Sequence, residues 1–147
     1  MRFFFYGTLM DGEVREAVLG PAAARLQVRQ ARLGGYRRVH APGQSWPVLV
    51  RAAGGQVDGI AADGVDTALA RVLLRYEGPD YRLARCRVRL AGGATAVAAV
   101  FLPRVAPGAG RPWRYDVWRA TARPTFLARL RGARAGGARP TAAGNAR

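Results

Sequence analysis

Only three glutamates occur in this chain, and two of them, Glu13 and Glu16, fall in the early turns of an expected helix. The positive end of the helix dipole favours a carboxylate there. Glu77 is placed otherwise. It lies in Tyr76-Glu77-Gly78, in the last turn of another expected helix, where the dipole penalises a negative charge by about 0.3–1 kcal/mol. A residue set against its local preference is a candidate for function. Burial beside Tyr76 and Tyr81 would raise its pKa towards the range of a general acid/base, while Arg75, Arg82 and Arg85 would oppose the rise. The competing reading is an exposed glutamate paired with a neighbouring arginine.

A second chemical signal opens the chain. Phe3-Phe4-Phe5-Tyr6 reads as a buried strand that stops abruptly at Gly7-Thr8-Leu9. Glycine can take backbone angles closed to other residues, so the chain can turn sharply there. The amides of Gly7, Thr8 and Leu9 are then left without ladder partners. Successive free N–H groups in a turn suit an anion or a developing oxyanion.

The elements that must carry these groups alternate between strands and helices. Arg2–Tyr6 is the first strand, and Asp11 caps a short helix over residues 12–19 that ends at Gly20-Pro21. Residues 25–33 form a strand leading into Gly34-Gly35, followed by a loop to Gln44. Residues 46–50 and 56–62 read as two short strands separated by a Gly54-Gly55 turn. Asp66 caps a helix with Leu69, Val72, Leu73 and Tyr76 at helical spacing, stopped by Gly78-Pro79. From Arg85, Cys86, Val88 and Leu90 alternate with arginines, and Gly92-Gly93 turns the chain into a strand over 95–102. Helical material from Trp113 to about Leu130 is broken or kinked at Pro124. About six strands and three helical pieces predict an α+β domain built on a small, curled or barrel-like mixed sheet with short flanking helices.

Composition sets outer limits. The 147 residues make one domain, expected over 1–131, followed by a disordered Arg/Gly/Ala-rich tail over 132–147. No apolar run approaches the roughly 18 residues that span a bilayer, and no membrane partner is expected. The single cysteine, Cys86, suits a reducing cytoplasm and is read as a core residue. A net charge of +15 raises nucleic acid as a partner. All 24 basic residues are Arg, however, among abundant Ala and Gly. That reads as compositional bias, with non-specific affinity for polyanions as a side effect. His40 is the only histidine, so His-based metal sites and Ser-His triads lack support.

The order of the pieces carries more than any one of them. A strand ending in Tyr6-Gly7-Thr8-Leu9, then Val57-Asp58-Gly59-Ile60, then Arg75-Tyr76-Glu77-Gly78 and Tyr81-Arg82 entering a strand, resembles the γ-glutamylcyclotransferase-like family, including its γ-glutamylamine cyclotransferase branch. The likeness runs from about residue 3 to 102 and more weakly through residues 113–130. It implies a barrel-like α+β fold with a pocket between the first loop and the helix end that bears Glu77. It implies Glu77 as the catalytic acid/base, Tyr6, Gly7, Thr8 and Leu9 as the substrate-cradling loop, and an aromatic such as Trp46 on the pocket wall. Tyr81 and Tyr115 are candidate hydroxyl donors to substrate. Two segments depart from the family pattern: residues 37–44, which would shape the substrate mouth, and the Arg-rich tail.

The implied reaction is closure of a γ-glutamyl amide to 5-oxoproline, in which the substrate's own α-amine is the nucleophile. No Ser, Cys, metal or cofactor is required. The loop amides would hold either the α-carboxylate or the oxyanion. The expected partner is a small γ-glutamyl molecule, and the protein is expected as a monomer or homodimer. Its leaving group is an amine, amino acid, peptide or carrier-bound acyl group. The alternatives are a catalytically silent binding protein of the same fold, or a basic protein that binds nucleic acid non-specifically.

Overall fold

The computed structural model describes residues 1–137. Its centre is a closed barrel of five strands: β1 (Arg2–Phe5), β2 (Gln27–His40), β3 (Pro47–Asp63), β4 (Tyr81–Leu90) and β5 (Thr95–Pro103). They are ordered β1-β3-β2-β4-β5. All neighbours are antiparallel except β1 and β5, which close the barrel in parallel through Phe3 and Ala99. Among the described residues four α-helices flank it: α1 (Gly12–Leu19), α2 (Thr67–Glu77), α3 (Tyr115–Ala120) and α4 (Arg123–Ala135). The expected mixed α+β barrel is therefore present.

The aromatic run at the N-terminus builds both cores at once, because successive strand side chains point to opposite faces. Phe4 and Tyr6 enter the barrel interior with Leu33, Val88 and Val100. Phe3 and Phe5 face outward beneath the helices, against Val14, Leu73, Phe126 and Leu130. Each such ring contributes about 1.5–3 kcal/mol by burial, which fixes the strand that leads into the Gly7 loop. Capping fixes the helices. Asp11 accepts from the amides of Glu13 and Val14 at the start of α1, and Asp66 accepts from Leu69 N–H at the start of α2. α2 ends at Gly78, whose φ of 86° stops the helix immediately after Glu77.

Several expectations require correction. There are five strands among the described residues, not six, because residues 47–63 form one strand rather than two. The Gly54-Gly55 pair is not a hairpin turn. It lies across from Gly34-Gly35 in the β2–β3 ladder, where the register shifts between Gly34 and Tyr36. Gly35 and Gly54 have φ of 83° and 72°, so both glycine pairs serve one local irregularity within a long two-stranded arm. β2 likewise runs on to His40, which ends a strand instead of lying in a loop. The C-terminal helical material divides into α3 and α4, and Pro124 starts the second helix rather than kinking it.

The helix also passes the expected domain boundary at residue 131 and continues to Ala135. Arg134 explains the extension, since its guanidinium donates to the carbonyls of Glu16 and Ala17 at 3.2 and 2.8 Å. Residues 138–147 of the expected tail lie outside the described residues. No helix among the described residues is long and apolar enough to cross a membrane.

Candidate active site

β1 stops at Phe5, and the next residues form a turn whose carbonyls are all engaged. Tyr6 is anchored first, by a buried hydrogen bond from its hydroxyl to the Phe101 carbonyl at 2.5 Å. Residues 8–10 make a 3-10 turn in which Met10 N–H donates to Gly7 O at 2.9 Å and Asp11 N–H to Thr8 O at 3.1 Å. Arg15 donates to the carbonyls of Leu9 and Met10, both at 2.8 Å. Among the described residues, the amides of Gly7, Thr8 and Leu9 donate to no protein group. The free N–H groups expected from the sequence are thus present in the folded loop.

The loop is locked to the helix that carries Glu77. Thr8 Oγ1 and Tyr76 OH share a buried hydrogen bond of 2.7 Å. Burial, followed by the nearby Glu77 charge, holds the Tyr76 hydroxyl well above the ordinary tyrosine range. Glu77 is the next residue on the chain. It keeps partial solvent access as a residue, and among the described residues its carboxylate makes no hydrogen bond or ion pair. Desolvation pushes its pKa up to about 8. Arg75, Arg82 and Arg85, the possible opponents of that rise, are exposed and do not reverse it. The reading of Glu77 as an exposed, arginine-paired residue does not describe this fold.

Glu77 and the loop line one small cavity of about 20 Å³, with Trp46, Pro47 and Phe101 as its other walls. Trp46 is also a wall of a larger groove of about 540 Å³ on its other side, bordered by Asp80, Tyr81 and Pro103. Tyr81 therefore does not join the Glu77 cavity. It borders the groove and reaches Pro47 O through its hydroxyl at 3.4 Å. Burial and then the charge of Glu77 still raise its pKa. Tyr115 is more remote, stacked on Trp118 at 6.0 Å in a separate aromatic cluster.

Two further details revise the sequence reading. Gly7 has φ of −128°, outside the left-handed region, so a positive φ does not require glycine there. Close approach does: a Cβ would lie 2.9 Å from Pro47 Cγ and 3.0 Å from its Cδ. Leu9 is 2% exposed and packs in the helix-side core, leaving its amide as the part that a ligand can meet. Pro47 and Phe101 were not foreseen as cavity walls. Pro47 follows Trp46 and carried a weak signal as Trp-Pro, whereas Phe101 arrives only through barrel closure.

Fold and site together define a class: a small mixed barrel with a single-carboxylate pocket between its first loop and the end of α2. Solved structures share this fold. One is a protein of Arabidopsis thaliana (TM-score 0.68, 22% identity, 92% of this chain and 82% of that one). Another is a gamma-glutamyl cyclotransferase (TM-score 0.59, 16% identity, 70% and 66%). A third is an AIG2-like protein from Mus musculus (TM-score 0.58, 23% identity, 72% and 79%). No curated protein matches significantly. The chain belongs to the gamma-glutamyl cyclotransferase, AIG2-like family, whose pattern matches residues 3–120.

Proposed function

We propose that this chain is an enzyme that cyclises a γ-glutamyl amide, releasing 5-oxoproline and a free amine, with Glu77 as its one acid/base. The carrying observation is an unpartnered carboxylate with a pKa of about 8 lining the same cavity as three unsatisfied amides. The substrate's α-nitrogen attacks its own γ-carbonyl carbon. A new C–N bond closes the five-membered lactam while the bond to the leaving nitrogen breaks. Glu77 accepts a proton from the attacking nitrogen and returns it to the departing amine, so no water or cofactor is consumed. Its raised pKa lies closer to that of an amine than an ordinary carboxylate's does, which suits transfer in both directions. The amides of Gly7, Thr8 and Leu9 receive the substrate's carboxylate or the oxyanion.

The cavity as it stands has room for about one water, and the groove beyond Trp46 offers space for the rest of an extended substrate. Holding the extended chain in its folded, near-attack shape is then a large share of catalysis. The test is 5-oxoproline release from a panel of γ-glutamyl amines, amino acids and peptides. Release from at least one is expected. Release from none would favour a silent binding protein of the same fold.

A further inference from the structure

The carbonyls of the Gly7 loop are held in two different ways. Those of Gly7 and Thr8 are engaged by the turn's own amides. The Tyr6 carbonyl lies before the turn and is held from outside by Arg38, whose Nη1 donates to it at 3.0 Å. The same nitrogen donates to Asp58 O at 3.0 Å, and the guanidinium lies 5.3 Å over the Trp113 ring. Arg38 is thus a partly buried cation on β2, clamped between β3 and the C-terminal segment.

In a trans peptide, C=O and N–H point in opposite directions. Fixing the Tyr6 carbonyl therefore fixes the Gly7 N–H on the opposite side of the same peptide plane. The turn bonds set the amides of Thr8 and Leu9 in the same manner, but nothing within the turn sets Gly7. A cation on the carbonyl also polarises the peptide and strengthens its N–H as a donor. We propose that Arg38 is the positioning residue for the loop's first amide, aiming the Gly7 N–H at the cavity and sharpening it for a carboxylate or oxyanion. The proposal rests on the reading of this loop as the receptor for the anionic part of the substrate.

The test follows backbone signals in wild type, Arg38→Met and Arg38→Lys while 5-oxoproline is added. In wild type, the amide signals of Gly7, Thr8 and Leu9 should all shift. In Arg38→Met, Gly7 alone should stop responding, and kcat/KM should fall by up to about 100-fold, the lower end of what loss of a whole donor costs, while the rise of kcat/KM with pH that follows ionisation of Glu77 stays where it is in wild type. Arg38→Lys, which keeps the charge, should recover part of both and serves if Arg38→Met fails to fold. A Gly7 response in Arg38→Met equal to wild type would overturn the proposal, as would joint loss at all three amides, the mark of a merely structural role. A wild type that neither shifts nor releases 5-oxoproline would sink the functional reading instead. The clamp is then judged on the Tyr6 carbonyl carbon, which should move in Arg38→Met and overturns the proposal if it does not.

Discussion

Two carboxylates at opposite ends of two helices are treated in opposite ways. Asp11 caps the start of α1, is 3% exposed and is fully partnered. It accepts from two backbone amides, and Arg123 meets it at 2.6 Å. Burial pushes its pKa up, but the Arg123 hydrogen bond and the amides of Val14 and Glu13 outweigh that and hold it below the usual range. Glu77 ends α2, at the unfavourable pole of the dipole, and desolvation raises its pKa to about 8 with nothing to offset it. The molecule has 24 arginines, yet none pairs with Glu77 among the described residues. Asp11 is a carboxylate tied into the fold, whereas Glu77 is one left without a partner.

The largest expected effect is loss of the proposed proton acceptor. Glu77→Gln is near-isosteric and should preserve the fold, while kcat/KM for 5-oxoproline release falls about 10²–10⁴-fold. Retention of the wild-type rate would remove Glu77 as the base. Asp80, exposed on the groove side of Trp46, would be the next suspect. The converse experiment strips Asp11 of its cation. Arg123→Met should lower the denaturant midpoint and move the Asp11 pKa upward, towards the behaviour of Glu77. An unchanged midpoint would show that the amide cap alone suffices.

A third effect concerns stability and has a definite sign. Because the folded pKa of Glu77 lies above its ordinary 4.5, the folded state favours the protonated form. The associated stability is present below about pH 4.5 and is lost as pH rises through about 8. Glu77→Gln lacks this loss. It should match wild type in acid and become about 2–3 kcal/mol more stable by about pH 9, a figure reduced for the residue's partial solvent access. Parallel unfolding curves across that range would refute an ionisable, desolvated Glu77. Asp11 sets the opposite slope, since its lowered pKa contributes stability above its ordinary 3.8 that disappears in stronger acid. The smallest effect is steric. Gly7→Val places a Cβ against Pro47 and should lower kcat/KM about 10-fold while changing stability by about 1 kcal/mol. A larger loss of stability than of activity would mean that Gly7 serves the fold.

Much of this contrast was legible in the chain. The caps at Asp11 and Asp66, the stop at Gly78 and the β4–β5 hairpin follow from local chemistry, and so did the anomaly of Glu77 at a helix end. The long β2–β3 arm was not legible, because Gly34-Gly35 and Gly54-Gly55 signal turns locally and become one shared irregularity only when the two strands pair. The Thr8–Tyr76 bond and the Arg38 clamp join residues 68 and 32 positions apart, a distance over which local pattern says nothing. The requirement for glycine at position 7 was visible, but its cause was not: Pro47 supplies it through tertiary approach.

Glu77 is held without a partner, and we propose that it exchanges a proton near neutral pH. Carbon-detected NMR titration of its side-chain carboxyl tests this with no substrate at all. A midpoint near pH 8, lost as a signal in Glu77→Gln, is the expected result. A midpoint at or below the ordinary 4.5 would mean that the carboxylate is solvated or paired in solution, and would contradict the account.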